Sequence, residues 1–359
     1  MTRRVSALGV VVPARNDAGY AAATVEALLD SADRSTVPVS VILVDDGENG
    51  PMRASLPGDE RLAVVTTREH GPGHARTAGA KAFAEQARAL GVAAGEGWLV
   101  SLDADVSLPG DFVGRWVEAI GATDADILGG PAIFAPVGDE APLPADVEAA
   151  SEWMWSDTGL YEHFVGLVNV GGCNHAVSIE VARANTWYLQ PTAVVEGTRR
   201  IVPGDDWDFG LRARMSGWST GRVREPAVTT SVRRIAADPV GFLAGRSYER
   251  PFEPIRGSAS PEAWPPAESW QAVSSRGRAR LVAHFLAKPL LAGLAPKGEL
   301  DWFLGPELRA EWEAFARSAP TWQRGADWNA FRTALIDLCF ADEVFGWCRQ
   351  VARRIAGVS

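Results

Sequence analysis

Trp98-Leu99-Val100-Ser101-Leu102-Asp103-Ala104-Asp105 reads as a short apolar strand that delivers two carboxylates to its carboxyl end. In an open parallel α/β sheet, ligands bind outside the carboxyl ends of the strands. Aspartates at i and i+2 point to the same side of an extended segment. Magnesium and manganese prefer oxygen ligands and take one or two carboxylates together with substrate phosphates. The spacing of Asp103 and Asp105 therefore suits a metal that bridges protein and diphosphate. The competing reading is a solvated loop between strand and helix, because Asp-X-Asp also arises by chance.

The flanking sequence decides between them. Leu8 to Val12 is a continuous apolar run of the kind a strand buried on both faces needs. Ala18 to Ser31 has helical patterning, Val39 to Val44 is a second strand ending in Asp45-Asp46-Gly47, and Leu62 to Thr66 is a third. Gly71-Pro72-Gly73 precedes a long helix over Ala75 to Leu90. This alternation predicts a parallel sheet with helices on both faces. A dinucleotide-binding Rossmann domain needs a glycine-rich turn after its first strand. The turn here is Pro13-Ala14-Arg15-Asn16-Asp17, with no glycine until Gly19, which argues against that fold.

Downstream, Pro109 is expected to start a helix through Ile120, with Ser107 as its cap. Pro131 inside the apolar run Asp126 to Phe134 predicts an edge or a bend, and Pro136 to Asp146 reads as a loop. His175 to Ile179 is a further strand candidate after Gly171-Gly172-Cys173-Asn174. Gly204-Asp205-Asp206-Trp207-Asp208 opens a helix that ends near Met215, and short apolar segments follow near Val223 and Val228. Beyond Ile235, prolines mark a linker-like stretch before a helical, tryptophan-rich end. The expected division is residues 1–235, 236–270 and 271–359.

With 359 residues, 47% of them apolar, the chain can bury a large core. Its net charge of −10 disfavours nucleic acid as a partner, so an anionic ligand must meet a local basic patch. Cys173, Cys339 and Cys348 form no zinc-type cluster, and so sparse a set suits a reducing compartment. The first apolar run ends at Pro13, too soon for a signal peptide or a membrane span. A cytoplasmic protein is the expectation. Arg276-Gly277-Arg278-Ala279-Arg280, followed by Leu281 to Leu294, resembles a basic amphipathic helix, so peripheral membrane contact stands beside the alternative of an appendage packed on the protein.

Taken in order, six segments resemble the family 2 glycosyltransferases of the GT-A fold. They are Val10 to Asn16, Val44-Asp45-Asp46-Gly47, Gly71 to Arg76, Asp103-Ala104-Asp105, Gly171 to Asn174, and Gly204 to Arg212. The resemblance covers the first two-thirds of the chain. It implies a GT-A nucleotide-diphospho-sugar transferase fold, α/β with a mainly parallel sheet, to which this chain adds a helical C-terminal extension.

The resemblance also implies a nucleoside-diphosphate sugar donor. Pro13, Ala14, Arg15, Asn16 and Asp46 would then hold base and ribose, and Asp46 can accept imide or amino hydrogens of a nucleobase. Gly73 would allow close approach to the diphosphate, and Arg76 would reach the nucleotide or diphosphate. Asp105 would bind Mn2+ or Mg2+ directly, while Asp103 would reach the ion through water or hold the ribose. Many such enzymes add a histidine ligand downstream; Thr229 to Arg234 contains none, which leaves water and phosphate oxygens to fill the shell and Arg233 or Arg234 to steady the diphosphate. Asp206 falls where the family carries its catalytic base, in Asp205-Asp206 rather than the more frequent Glu-Asp. Gly172, Asp205 and Trp207 are the acceptor-side candidates, and Trp153, Trp155 and Trp187 are further aromatic candidates for that cleft.

The reading is thus a metal-dependent inverting transferase that acts on a small-molecule, glycan or lipid-linked acceptor. The alternatives are a nucleotidyltransferase that makes a nucleotide sugar and a non-catalytic carbohydrate-binding protein on the same fold. The first lacks a long glycine-rich, basic triphosphate loop near the first strand, and the second leaves the aspartate series unexplained.

Overall fold

The computed structural model describes residues 3–47, 56–155, 158–168, 170–246, 267–294, 297–323 and 325–357. The chain forms two compact units, one of Met1–Pro142, Val168–Gln190 and Gly204–Val232, the other of Leu143–Leu167, Pro191–Pro203 and Arg233–Ser359. In chain order the strands are β1 (Ala7–Ala14), β2 (Val39–Asp45), β3 (Leu62–Thr66), β4 (Gly97–Ser101), β5 (Val106–Ser107), β6 (Ile127–Gly129), β7 (Ala132–Phe134), β8 (His175–Ser178), β9 (Thr192–Val195), β10 (Thr198–Ile201), β11 (Thr220–Arg222) and β12 (Val228–Thr230).

The first unit is built on a seven-stranded sheet of order β11-β6-β8-β4-β1-β2-β3. Side chains alternate across a strand, and β1 shows what this does to the core. Leu8, Val10 and Val12 enter one apolar layer with the helices Ala18–Ala32 and Phe112–Gly121. Ala7 and Val11 enter the opposite layer with Ala75, Ala80 and Phe83 of the helix Pro72–Ala89 and Phe209 of the helix Asp205–Met215. A central strand must be apolar on both faces to be covered this way, which is why Val10–Val12 of β1 and Val41–Val44 of β2 read as continuous hydrophobic runs. The alternation continues past β4: Leu102 and Ala104 are buried in the first layer, which leaves Asp103 and Asp105 out of it.

Strands β3, β2, β1 and β4 run parallel, as do β6 and β11. Strand β8 is antiparallel to both β4 and β6, with Ser101 and Gly129 opposite His175. The fold is therefore α/β with a mixed, mostly parallel sheet and C-terminal helices. A second sheet of order β5-β12-β7 lies beside the end of β4. Pro131 separates β6 from β7, and the two strands belong to different sheets. The helix expected from Pro109 begins at Phe112, because Pro109–Asp111 forms a turn whose Pro109 carbonyl accepts from Phe112 N–H. Ser107 ends β5 and caps nothing; it pairs with Thr229 of β12 instead.

The second unit is mainly helical, with the β9–β10 hairpin among its elements. Its core brings Val147 and Ala150 of the helix Ala145–Trp155 against Trp270 and Val273 of the helix Ala267–Val282, with Ile235 and Leu243. Trp312 packs against Trp347 at 5.0 Å between ring centroids. Asp327 caps the helix Trp328–Phe340, accepting from the amides of Asn329 and Ala330. Of the stretch read as a linker over 236–270, residues 239–243 are helical, a helix starts at Ala267, and 247–266 lie outside the described residues. The basic stretch does not present a basic face: residues 281–290 are buried, and Arg278 donates to the Trp153 carbonyl with its guanidinium 4.5 Å from the Trp153 ring. Among the described residues, no helix is long and apolar enough to cross a membrane.

Candidate functional site

Parallel pairing puts the carboxyl ends of β1, β2 and β4 on one edge of the sheet, with Ala14 beside Asp45 and Val11 beside Ser101. Because β8 runs the other way, its amino end meets the same edge, and Gly171–Asn174 arrives there directly before His175. The edge therefore gathers four of the six segments from well-separated parts of the chain.

Pro13 and Ala14 close β1, and Arg15 and Asn16 are exposed beyond it, Asn16 with φ 59°. Asp46 is 4% exposed, and its amide donates to the Ala14 carbonyl at 2.9 Å. One carboxylate oxygen accepts from Gly71 N–H at 2.9 Å, and the other lies 3.0 Å from His70 Nδ1. His70 was not among the sequence candidates, and nothing in its local sequence marks it. Asp45 turns inward and accepts from Gly47 N–H at 3.0 Å, a local turn contact that leaves Asp46 facing the loop 70–71.

Arg76 is the centre of the arrangement. It projects from the second turn of Pro72–Ala89, is 4% exposed, and donates to Asp205 at 2.6 Å, Asp103 at 2.8 Å and Ser101 Oγ at 3.0 Å. Burial disfavours its charge, but Asp205, Asp103 and Asp206 more than offset this and hold it protonated. Arg76 is expected from sequence to reach the nucleotide or diphosphate; in the structure each of its three nitrogens donates to one of the protein's own side chains, three of its five N–H groups. Ser101 shares strand parity with Asp103, a signal that could have identified it from sequence. Gly73 likewise turns toward the protein: its N–H donates to Gln190 Oε1 at 2.9 Å, and a side chain there would press on the Leu189 carbonyl at 2.9 Å.

Asp205, Asp206 and Asp208 occupy the first turn of the helix Asp205–Met215, where helix-end potential favours anions. The residue at the cap position is Gly204, φ 99°, so Asp205 is the first helical residue and not the cap. Asp205 is 3% exposed and faces Arg76; burial raises its carboxyl above the usual range, with Arg76 opposing but not cancelling the rise. Asp206 is partly exposed, accepts from Gly172 N–H through one oxygen, and lies 2.7 Å from Trp207 N through the other. Burial first, and then Asp205, push the Asp206 carboxyl up to about 6, with Arg76 opposing. Gly172 fits here because a Cβ would collide with the Arg76 guanidinium and crowd Asp206 at 2.8 Å. Trp207 is 7% exposed.

Asp105 is 8% exposed, and its backbone is held on both sides. Its carbonyl accepts from Ser231 N–H at 3.1 Å, while Thr24 Oγ1 lies 2.7 and 3.1 Å from the carbonyls of Ala104 and Val106. Ser231 is in turn tied to Glu140, which also accepts from Tyr20 Oη at 2.7 Å. Trp187 is half-buried in the first unit and packs on its core, whereas Trp153, Trp155, Arg233 and Arg234 belong to the second unit.

Residues 9–174, which include β1, β2, β4 and the Asp46, Arg76, Asp103 and Asp105 positions, match the model of Glycosyl transferase family 2. They are a family 2 glycosyltransferase domain. Curated proteins offer no match to the chain. Among solved structures, the chain is similar to S. aureus TarS, with 14% identity, a TM-score of 0.42, and coverage of 96% of this chain and 55% of that one. It thus spans little more than half the length of that relative. It is also similar to the mannosyltransferase PcManGT from Pyrobaculum calidifontis in complex with GDP-Man and Mn2+, with 15% identity, a TM-score of 0.40, and coverage of 94% and 86%. Glucosyl-3-phosphoglycerate synthase from Mycobacterium tuberculosis has 15% identity, a TM-score of 0.35 and 82% coverage of both chains. Likeness at this distance assigns no donor, acceptor or metal to this chain.

The chain's own residues bear on a metal. Among the described residues, no group of three or more His, Cys, Asp and Glu side chains is placed to hold an ion. Asp103 has a side chain 34% exposed with one oxygen on Arg76, and Asp105 adds a second carboxylate. Two carboxylates fit a hard divalent cation shared with substrate phosphates and water; they do not fit an all-protein cage.

Proposed function

We propose that the chain is a metal-dependent inverting glycosyltransferase that moves a sugar from a nucleotide sugar, with Asp206 as general base toward an acceptor hydroxyl. The observation that carries the proposal is the state of Asp206. It is a partly exposed carboxylate at a helix start, held by a backbone N–H and raised to about 6, so it is ionised at neutral pH yet basic enough to take a proton. In the reaction, the acceptor O–H proton passes to Asp206. The freed oxygen forms a bond to the anomeric carbon as the bond from that carbon to the diphosphate oxygen breaks, and its electron pair leaves on the nucleoside diphosphate. A single base and direct displacement invert the anomeric centre.

Asp46 serves the nucleobase in this proposal. Its contacts to Gly71 N–H and His70 leave lone pairs for imide or amino hydrogens, since two carboxylate oxygens offer about four acceptor sites. Pro13 to Asn16 form the wall beside it. Asp105, with Asp103, would hold Mn2+ or Mg2+, which when bound supplies charge compensation for the leaving diphosphate. Arg76 acts on the acids: it fixes Asp103 and Asp205 from behind. Gly172, Asp205 and Trp207 border the acceptor side. The acceptor is a small-molecule, glycan or lipid-linked one.

A screen of nucleotide sugars with and without Mn2+ or Mg2+ tests the proposal. A ligand that binds only the folded protein raises apparent stability by mass action, so the donor should raise Tm more with metal than without. Transfer should then release the nucleoside diphosphate. Donor-independent melting across all nucleotide sugars, or transfer indifferent to chelator, would overturn it.

A further inference from the structure

We infer that His175 is a positioning residue for Asp206, acting through the Gly171–Gly172 peptide. The inference rests on Asp206 being the base and extends that reading to a residue buried behind the site.

One peptide group carries both contacts. Its N–H, from Gly172, donates to Asp206; its carbonyl, from Gly171, lies 2.9 Å from His175 Nδ1. A carbonyl only accepts, so Nδ1 bears the proton. The other ring nitrogen, Nε2, lies 2.7 Å from Tyr188 Oη and takes the hydroxyl proton of that residue. His175 is fully buried, and burial pushes its pKa down to about 3, so the ring is neutral and this single tautomer satisfies both neighbours. A continuous chain therefore runs from Tyr188 through His175 and the 171–172 peptide to Asp206. Hydrogen bonds in such chains polarise one another, so a donor on the carbonyl strengthens the N–H that faces the carboxylate.

The far end of the chain is anchored to the helix that carries the base. The Tyr188 ring stacks on Phe209 at 4.4 Å, and Phe209 is three residues after Asp206 on the same helix. Thr77 Oγ1 donates to the Tyr188 carbonyl at 2.6 Å. Thr186 and Trp187, immediately before it, both have positive φ, 61° and 58°, an unusual pair of non-glycine conformations. Arg212 of the base helix donates to the carbonyls of Asn185 and Trp187 that flank this bend. Strand β8, the bend and the base helix thus fix the two ends of the chain against each other, and His175 is the link between them.

Two substitutions separate positioning from mere packing. His175→Phe keeps an aromatic ring and removes the Nδ1 donor; His175→Asn keeps an N–H near the Nδ1 position. Single-turnover transfer and donor affinity are measured for both, with Asp206→Asn alongside. Misplacing a reacting group by about 1 Å costs roughly 100-fold, so His175→Phe should lose about 10- to 100-fold in transfer rate while donor affinity stays within about twofold. His175→Asn should recover most of that loss. Equal losses in the two variants, or losses that track donor affinity, would overturn the inference. If His175→Phe does not fold, Tyr188→Phe takes its place: it removes one hydroxyl and should slow transfer severalfold at unchanged donor affinity, and a wild-type rate would count against the chain. An inactive Asp206→Asn beside a wild-type rate in His175→Phe removes His175 alone; normal transfer by Asp206→Asn removes the base and the positioning together.

Discussion

Replacing Arg76 by Met removes a guanidinium that is 4% exposed and leaves its carboxylate partners in place. The two partners will not respond alike. Asp205 is 3% exposed and loses its ion pair at 2.6 Å; Asp103, with a third of its side chain in solvent, can be rehydrated. Breaking a buried pair by removing one member costs about 3–5 kcal/mol, mostly through the uncompensated charge left behind. The lost bond to Ser101 Oγ adds about 0.5–1.5 kcal/mol. Unfolding of Arg76→Met in urea should therefore show a loss of roughly 3.5–6.5 kcal/mol at pH 7. Arg76→Met with Asp205→Asn should be more stable than Arg76→Met alone, by about 1–3 kcal/mol of coupling, since no buried charge then lacks a partner. The pH dependence has a fixed sign. Without Arg76, burial raises the Asp205 carboxyl further in the folded state, so the folded protein binds this proton more tightly than the unfolded chain does. The penalty is small below pH ~4 and grows as pH rises through the unfolded value toward the folded one. A loss under about 1 kcal/mol, or a double variant no better than the single one, would refute the buried-pair account.

Three further outcomes follow from the same geometry. Asp46→Ala should weaken nucleoside binding by about 1.5–3 kcal/mol, with or without metal, as read by calorimetry; unchanged affinity would make Asp46 a turn residue only. Asp105→Ala should abolish metal-stimulated transfer and metal-dependent nucleotide binding, and metal-independent turnover equal to wild type would remove Asp105 from the metal site. Because burial and Asp205 raise Asp206 to about 6, kcat/KM should be flat above neutral pH and fall below about pH 6 as the carboxylate takes up a proton; a profile flat down to pH 4.5 would contradict that shift.

The sheet was legible where burial is two-sided. Strands β1, β2 and β4 are mainly apolar because both faces meet buried apolar layers, and a near-continuous hydrophobic run is what such burial demands. Their ends were legible too, since a run of Val, Ile and Leu that stops at Asp45-Asp46 or Asp103 marks the rim of the sheet. The direction of β8 was not, because four residues carry no sign of whether their neighbours run parallel. That one reversal brings Gly171 and Gly172 to the site, which explains how a motif distant in sequence reaches Asp206. Charge type at Arg76 was readable, but its partners were not: Asp205 lies 129 positions away, and no local pattern links the two. His175 was invisible for a related reason, since a histidine that opens a buried strand reads as core. Composition also did not reveal that residues 143–167 and 191–203 join the C-terminal helices in one compact unit, as that depends on packing among distant segments.

The central claim is that Asp206 takes the acceptor proton, and the direct test is single-turnover transfer by Asp206→Asn with donor affinity measured in parallel. Asparagine keeps the shape and can still accept from Gly172 N–H, but it takes no proton at neutral pH. Donor affinity should hold while transfer falls by about two to four orders of magnitude. Asp205→Asn, whose carboxylate pairs with Arg76, should lose stability first and transfer less. Near-normal transfer by Asp206→Asn would contradict the account, and an inactive Asp205→Asn beside it would move the base to Asp205.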